Sequence, residues 1–197
     1  MPTLRPFRDY DEKDVINLFT VSGTALPINK GTLVTIAGSG FNNQQEPFES
    51  LGAFGGFTEP NTVALRYGTV PKCTVAGTGD IPLGMTLFDM RETDENGLLL
   101  KYNPRKAAEM EAVISGQTMP IIARGIFLYS GITGSPSVNA SLYVGPAGVI
   151  DDFVSPDQTS LYLVTGVPIP LPKRQAKVGK LLGQKDAQGF ALIKLEL

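Results

Sequence analysis

Histidine and tryptophan are missing from this 197-residue chain, and cysteine occurs once, at Cys73. A Ser-His-Asp or Cys-His hydrolase needs an imidazole, cupin-like and zinc-hydrolase sites draw on histidine ligands, and an intrachain disulfide needs two thiols. Composition therefore excludes those chemistries. Charge is also scarce. Charged residues make up 18% of the chain, and 17 Lys+Arg nearly balance 19 Asp+Glu, so a net charge of −2 supplies no global field toward nucleic acid or an anionic membrane. No stretch approaches the roughly 20 apolar residues of a membrane span. Residues 1–10 carry Arg5, Arg8 and Asp9 with no apolar run behind them, which predicts neither signal nor transit peptide and a soluble protein made in a cytosol.

Glycine and proline are abundant instead, at 22 and 15 residues, against a usual combined share of about 12%. Such a chain turns often, and its 42% hydrophobic content is enough for a core in one domain with extensions. Short runs rich in β-branched and aromatic residues recur at 15–21, 32–37, 62–67, 82–88, 98–102, 120–129, 138–144, 149–154, 161–165, 178–182 and 190–197. Gly, Pro, Asn or Asp punctuates the gaps, which predicts an all-β fold of sandwich or barrel type. Residues 1–14 are polar, charged and proline-marked, and read as an extended N-terminal arm that cannot bury itself, ahead of a β-rich domain over 15–197.

Period-two alternation assigns faces. Ala191, Ile193, Leu195 and Leu197 alternate with Lys194 and Glu196, and the run 138–144 alternates likewise. Asp186-Ala187-Gln188-Gly189 fits a type I turn with a positive φ at Gly189, closing a terminal hairpin over about 178–197. Gly145-Pro146-Ala147-Gly148 makes a similar connection. One short α-helix is expected over about 104–115, with Asn103 as cap, Pro104 in the first position, an apolar side of Ala107, Met110, Val113 and Ile114, and Gly116 closing it. Residues 38–56 and 166–173 are long connections, the second polyproline-like. No fixed-period repeat is present.

Candidate chemistry is thin. Cys73 has no histidine to activate it and reads as a small buried hydrophobe. Asp151 with Asp152, or Glu92, Asp94 and Glu95, could supply a glycosidase-like acid and base, yet adjacent acids near a hairpin are commonly solvated turn residues. Asp94-Glu95-Asn96-Gly97 lacks the 12-residue calcium-loop pattern. Gly38-Ser39-Gly40 and Gly77-Thr78-Gly79 lack the third glycine and helix of a nucleotide-binding loop, and no Gly-Lys-Ser/Thr triplet exists. Asn139-Ala140-Ser141 matches a glycosylation acceptor, read as chance in a chain without a secretion signal. Phe54 and Phe57 sit among flexible glycines and read either as a ring tucked into the core or as a subunit contact. Lys173, Arg174, Lys177, Lys180 and Lys185 form a basic cluster opposite in sign to the acid-rich stretch 89–95. It reads either as an edge-protecting strand face or as a docking patch for an acidic protein surface. No aromatic-interleaved basic platform or recognition helix accompanies it, so nucleic acid is not expected as a partner.

From about Ile81 onward the sequence resembles virion structural proteins of tailed bacteriophages, in particular the decoration or cement proteins that coat the expanded head. The likeness rests on Ile81-Pro82-Leu83-Gly84-Met85-Thr86-Leu87, on Asp94-Glu95-Asn96-Gly97 leading to Tyr102-Asn103-Pro104-Arg105-Lys106-Ala107, and on Pro120-Ile121-Ile122-Ala123-Arg124-Gly125-Ile126-Phe127. It closes with Val178-Gly179-Lys180-Leu181-Leu182-Gly183 and the run from Asp186 to Leu195, and Pro27-Ile28-Asn29-Lys30-Gly31-Thr32-Leu33-Val34 is similar to an opening strand. Residues 38–57 have no counterpart. The resemblance implies an antiparallel β-barrel or β-tulip domain outside the major capsid shell, clamping neighbouring capsomers against internal pressure. It implies a homo-oligomer, a trimer ahead of a dimer, with the major capsid protein as partner and with no cofactor, metal, membrane or enzymatic role. The location implied is the outer surface of the virion after synthesis in a host cytoplasm. Expected contacts to capsid or sister subunit are Arg5, Phe7, Arg8 and Tyr10 of the arm, Phe54 and Phe57, and Lys173, Arg174, Lys177 and Lys180. The rivals are another virion part, such as a head-fibre base or tail component, and a carboxylate-based carbohydrate-processing enzyme using Asp151 and Asp152.

Overall fold

Alternating apolar residues lay down the largest sheet. In the computed structural model, which describes residues 3–8, 10–21, 27–37, 72–114, 117–152 and 176–197, strand β15 (Ala191–Glu196) turns Ala191, Ile193 and Leu195 inward and Lys194 and Glu196 outward. It pairs antiparallel with β10 (Arg124–Tyr129) on one side and β14 (Lys177–Leu181) on the other. With β1 (Leu4–Pro6), β11 (Ile132–Thr133), β12 (Ser141–Val144) and β13 (Ile150–Asp151), these make a seven-stranded sheet in the order β1-β10-β15-β14-β12-β13-β11. A second, six-stranded sheet holds β2 (Val15–Ile16), β3 (Thr20–Val21), β4 (Leu33–Ala37), β5 (Lys72–Val75), β6 (Gly84–Thr86) and β9 (Ile121–Ile122) in the order β2-β9-β6-β4-β5-β3. A small parallel pair, β7 (Asp89–Met90) with β8 (Ala112–Val113), forms a third layer.

The all-β architecture expected from the sequence is present. Among the described residues no closed barrel is formed, and β3 with β5 and β11 with β13 run parallel, so the sheets are mixed. The middle of the six-stranded sheet is buried on both faces, which explains the adjacent apolar residues Leu33–Val34 and Ile121–Ile122. Leu33, Met85 and Ile122 meet Phe127, Leu142, Val144, Ile150 and Ile193 of the large sheet in one core. Their neighbours Val34, Ile121 and Cys73 face the opposite way, into a second core with Phe19, Ile28, Met90, Val113 and Met119. One step along the chain thus moves a side chain from one core to the other.

The terminal hairpin forms as expected. Asp186 Oδ1 accepts hydrogen bonds from the N–H groups of Gln188 and Phe190, and Gly189 N–H donates to Asp186 O at 3.0 Å with φ +84°. Pro146–Gly148 forms a 3₁₀ turn between β12 and β13, as its sequence suggested.

Three expectations need correction. The helix expected over 104–115 is α1 (Pro104–Glu109), and the side chain of Asn103 does not cap it but donates to Leu99 O. Glu111 leaves the helix at φ +48°, its carbonyl accepts from Asp89 N–H, and Val113 is drawn into the second core, where pairing in β8 outweighs another helical turn. Gly116, the expected closing residue, lies outside the described residues. The run 98–102 is not a strand: Leu100–Tyr102 is a 3₁₀ turn in which Leu100 alone is buried. Finally, residues 4–6 do not stay free. β1 pairs antiparallel with β10, Leu4 opposite Tyr129, and Leu4 is only 3% exposed within the main core. A single leucine flanked by an outward arginine was enough, and Pro6, unable to donate to a ladder, is tolerated because β1 is an edge strand. The runs at 62–67 and 161–165 and the connections at 38–56 and 166–173 lie outside the described residues.

Candidate functional site

Sheet alternation decides which polar side chains can act together. On β10 the buried Phe127 and Tyr129 fix the inward set, leaving Arg124, Ile126 and Leu128 on the outer face of the large sheet. On β15 the outward set is Leu192, Lys194 and Glu196, and on β14 it includes Lys177 and Lys180. Register then aligns them. Lys180 lies opposite Lys194, Ile126 opposite Lys194 from the other side, Leu128 opposite Leu192, and Arg124 opposite Glu196.

Like charges directly opposite each other on a sheet repel. Glu196 relieves the Lys180–Lys194 pair: Lys194 Nζ donates to Glu196 Oε1, and this bond, helped by the fields of Lys194, Lys177 and Lys180, holds the Glu196 carboxyl below its ordinary range. Arg5 of β1 extends the face. Its guanidinium lies 4.5 Å from the ring centroid of Phe190, a cation–π contact at the sheet's edge. Beside it runs a row of leucines: Leu128 and Leu192 form a cross-strand pair, and Leu182, 39% exposed, donates its N–H to Leu192 O.

Of the residues singled out from the sequence, Arg5, Lys177 and Lys180 therefore share one surface. Phe7 (54% exposed) and Arg8 lie just beyond β1, with Phe7 N–H donating to Ile126 O, while Tyr10 sets its ring 6.3 Å from that of Phe127. Lys185 leaves the cluster, because its ammonium donates to the carbonyls of Ile132 and Gly134 and ties the turn to β11. Phe54, Phe57, Lys173 and Arg174 lie outside the described residues. Arg124 and Lys194 are additions. Lys194 was visible as the polar phase of an alternating strand, but only strand order brings it to Lys180.

The acids have local tasks. Asp94 Oδ1 accepts from the N–H groups of Asn96 and Leu98, Asp80 Oδ2 from Gly77 N–H, and Asp89 accepts from Lys30 N–H and pairs with Arg91. Asp152 packs its carboxylate against Gly134, whereas Asp151 presents itself on the outer face of β13 and packs against Gly145. Cys73 is buried, its thiol directed at Thr20 O at 3.6 Å, and burial pushes its pKa up to about 12, which suits the inert reading. Tyr129, also buried, has its hydroxyl near the Ile150 backbone without a hydrogen bond of good geometry, and burial drives the phenol above its ordinary range. Among the described residues no three of Asp, Glu and Cys gather closely enough to hold a metal ion. No protein-family model and no curated protein matches this sequence.

Proposed function

We propose that this protein is a virion structural protein of a tailed bacteriophage, one that binds the outside of the head and cements neighbouring major capsid subunits against internal pressure. In this reading the body is the β-barrel or β-tulip domain of a decoration protein, and copies act as a homo-oligomer on the virion surface. The observation that carries the reading is how the chain uses its polar groups. Asp94 and Asp186 cap the protein's own loops, the thiol is sealed in a core, and Arg5, Arg124, Lys177, Lys180 and Lys194 share the outer face of the large sheet. Such a face recognises another protein by shape and charge. Icosahedral repetition of that contact turns a modest single affinity into strong attachment.

The test is co-sedimentation of the purified protein with expanded phage capsid shells that lack their own decoration, alongside its solution mass by light scattering. Saturable binding at a fixed ratio to the major capsid protein is the expected result. Absence of binding to shells at every stage of expansion overturns the reading.

A further inference from the structure

The outer face of the large sheet carries Arg5, Arg124, Lys177, Lys180 and Lys194, and among the described residues of that face the opposing carboxylates are Glu196 and Asp151. The chain as a whole has a net charge of −2, so this excess is local and is balanced elsewhere on the molecule. Four strands bring the cations together. Lys180 and Lys194 stand opposite each other, an arrangement that costs stability in the isolated sheet. Glu196 is engaged by Lys194 and also lies in the fields of Lys177 and Lys180, so on β14 and β15 a single carboxylate answers three lysines.

Beside the basic rows lies apolar surface of the kind that forms the centre of protein contacts. Leu128 of β10, Leu192 of β15 and Leu182 just past the end of β14 fall in one row, with Ile126 opposite Lys194. Register puts that row at the turn end of β15, with Ile126, Lys194 and Lys180 in the next row and Arg5 across from Leu128, so apolar and charged side chains adjoin as they do in protein–protein interfaces. A nucleic acid would instead call for cations spaced along a backbone track and free aromatic faces for stacking. Here the Phe190 ring is covered by the Arg5 guanidinium, and the surface beside the cations is leucine.

We infer that this outer face is the surface by which the protein seats on its shell, and that the complementary ground is an acidic patch of the capsid exterior enclosing exposed apolar side chains. The inference rests on the decoration reading and adds to it which face turns inward. The layer order then sets the orientation. The second core, with Met90 of β7 and Val113 of β8, lies on the face of the six-stranded sheet opposite the main core, so the β7–β8 layer and the helix α1 that contacts β8 turn away from the shell.

The experiment compares shell binding of the intact protein with three variants, each checked for unchanged thermal unfolding. Lys180→Glu with Lys194→Glu reverses the basic rows and is expected to weaken binding about tenfold or more, since each reversal both removes an attraction and adds a repulsion. Leu192→Ser breaks the apolar row at its middle and is expected to weaken binding at high as well as low salt, because apolar contact is not screened. Lys101→Glu with Arg105→Glu makes the same change in net charge on the remote layer, where both side chains are exposed, and is expected to leave binding unchanged. Equal binding by the intact protein and the Lys180/Lys194 variant overturns the inference while the decoration reading stands. An equal loss in the Lys101/Arg105 variant also overturns it, since net charge alone would then govern attachment. Competition by duplex DNA that displaces the protein from shells would assign the face to nucleic acid and overturn it as well. If the intact protein binds no shell, both the decoration reading and this inference fall together.

Discussion

Replacing Leu4 by alanine tests whether the N-terminal segment is part of the folded body. The side chain is 3% exposed, belongs to the main core, and stands opposite Tyr129 in the β1–β10 register. It also packs on the backbone of Gly31, where an added Cβ would come within 3.0 Å of both Leu4 Cβ and Tyr129 Cε2. Truncation removes three carbons, worth about 2.4 kcal/mol of transfer at roughly 0.8 per buried methylene. A cavity term follows, smaller than in a central strand because an edge strand can settle inward, so the total is about 3 kcal/mol. For a chain of this size that corresponds to a fall in Tm of about 6–12 °C. The chain has no tryptophan, so unfolding is followed by far-UV circular dichroism or by the fluorescence of its 6 tyrosines. Arg5→Ala, on the exposed side of the same strand, is the control and should cost less than about 1 kcal/mol. A Leu4→Ala shift no larger than that of the control would refute the docked strand and restore the segment to a free arm.

Three further outcomes are expected. Asp186→Ala deprives two N–H groups of their acceptor at the terminal hairpin and should destabilise the protein by about 1–2 kcal/mol in urea denaturation, with Asp186→Asn recovering part of the loss. Gly179→Ala would set a Cβ 2.0 Å from Lys194 O, backbone that cannot yield without parting β14 from β15, so the variant should lose more than about 3 kcal/mol or fail to accumulate in soluble form. Cys73 should resist thiol reagents at about pH 8 in the native protein and react on unfolding. Its pKa rises from 9.0 to about 12 on folding, so the unfolded chain releases the proton first and the native state loses stability as pH climbs from 9.0 toward 12. Cys73→Ala should flatten that part of the alkaline stability profile.

Some of this protein was legible in residue order alone. The terminal hairpin followed from alternation over 190–197 and from the demands of an Asp-x-x-Gly turn, both local effects of backbone geometry. The inert thiol followed from the absence of any partner that could activate it. The helix ends earlier than periodicity predicts, because periodicity at Val113 reports only that a residue is apolar, and a parallel partner 23 positions earlier, Met90, holds it in a strand. Residues 4–6 dock where a free arm is expected, for a related reason. A segment with one leucine cannot bury itself, but it can complete an edge that β10 offers, and nothing within residues 1–14 reveals that edge.

The candidate face shows the same division most clearly. Sequence determined the composition, the β-rich architecture, the turn chemistry and the phase of each strand, since these depend on neighbours along the chain. Tertiary structure decided which strands lie side by side, and therefore that Arg5, Arg124, Lys180 and Lys194, spread over 190 positions from 5 to 194, share one surface with a row of leucines. Strand order is set by which apolar faces pack best against each other, a property of the whole core that no local pattern encodes.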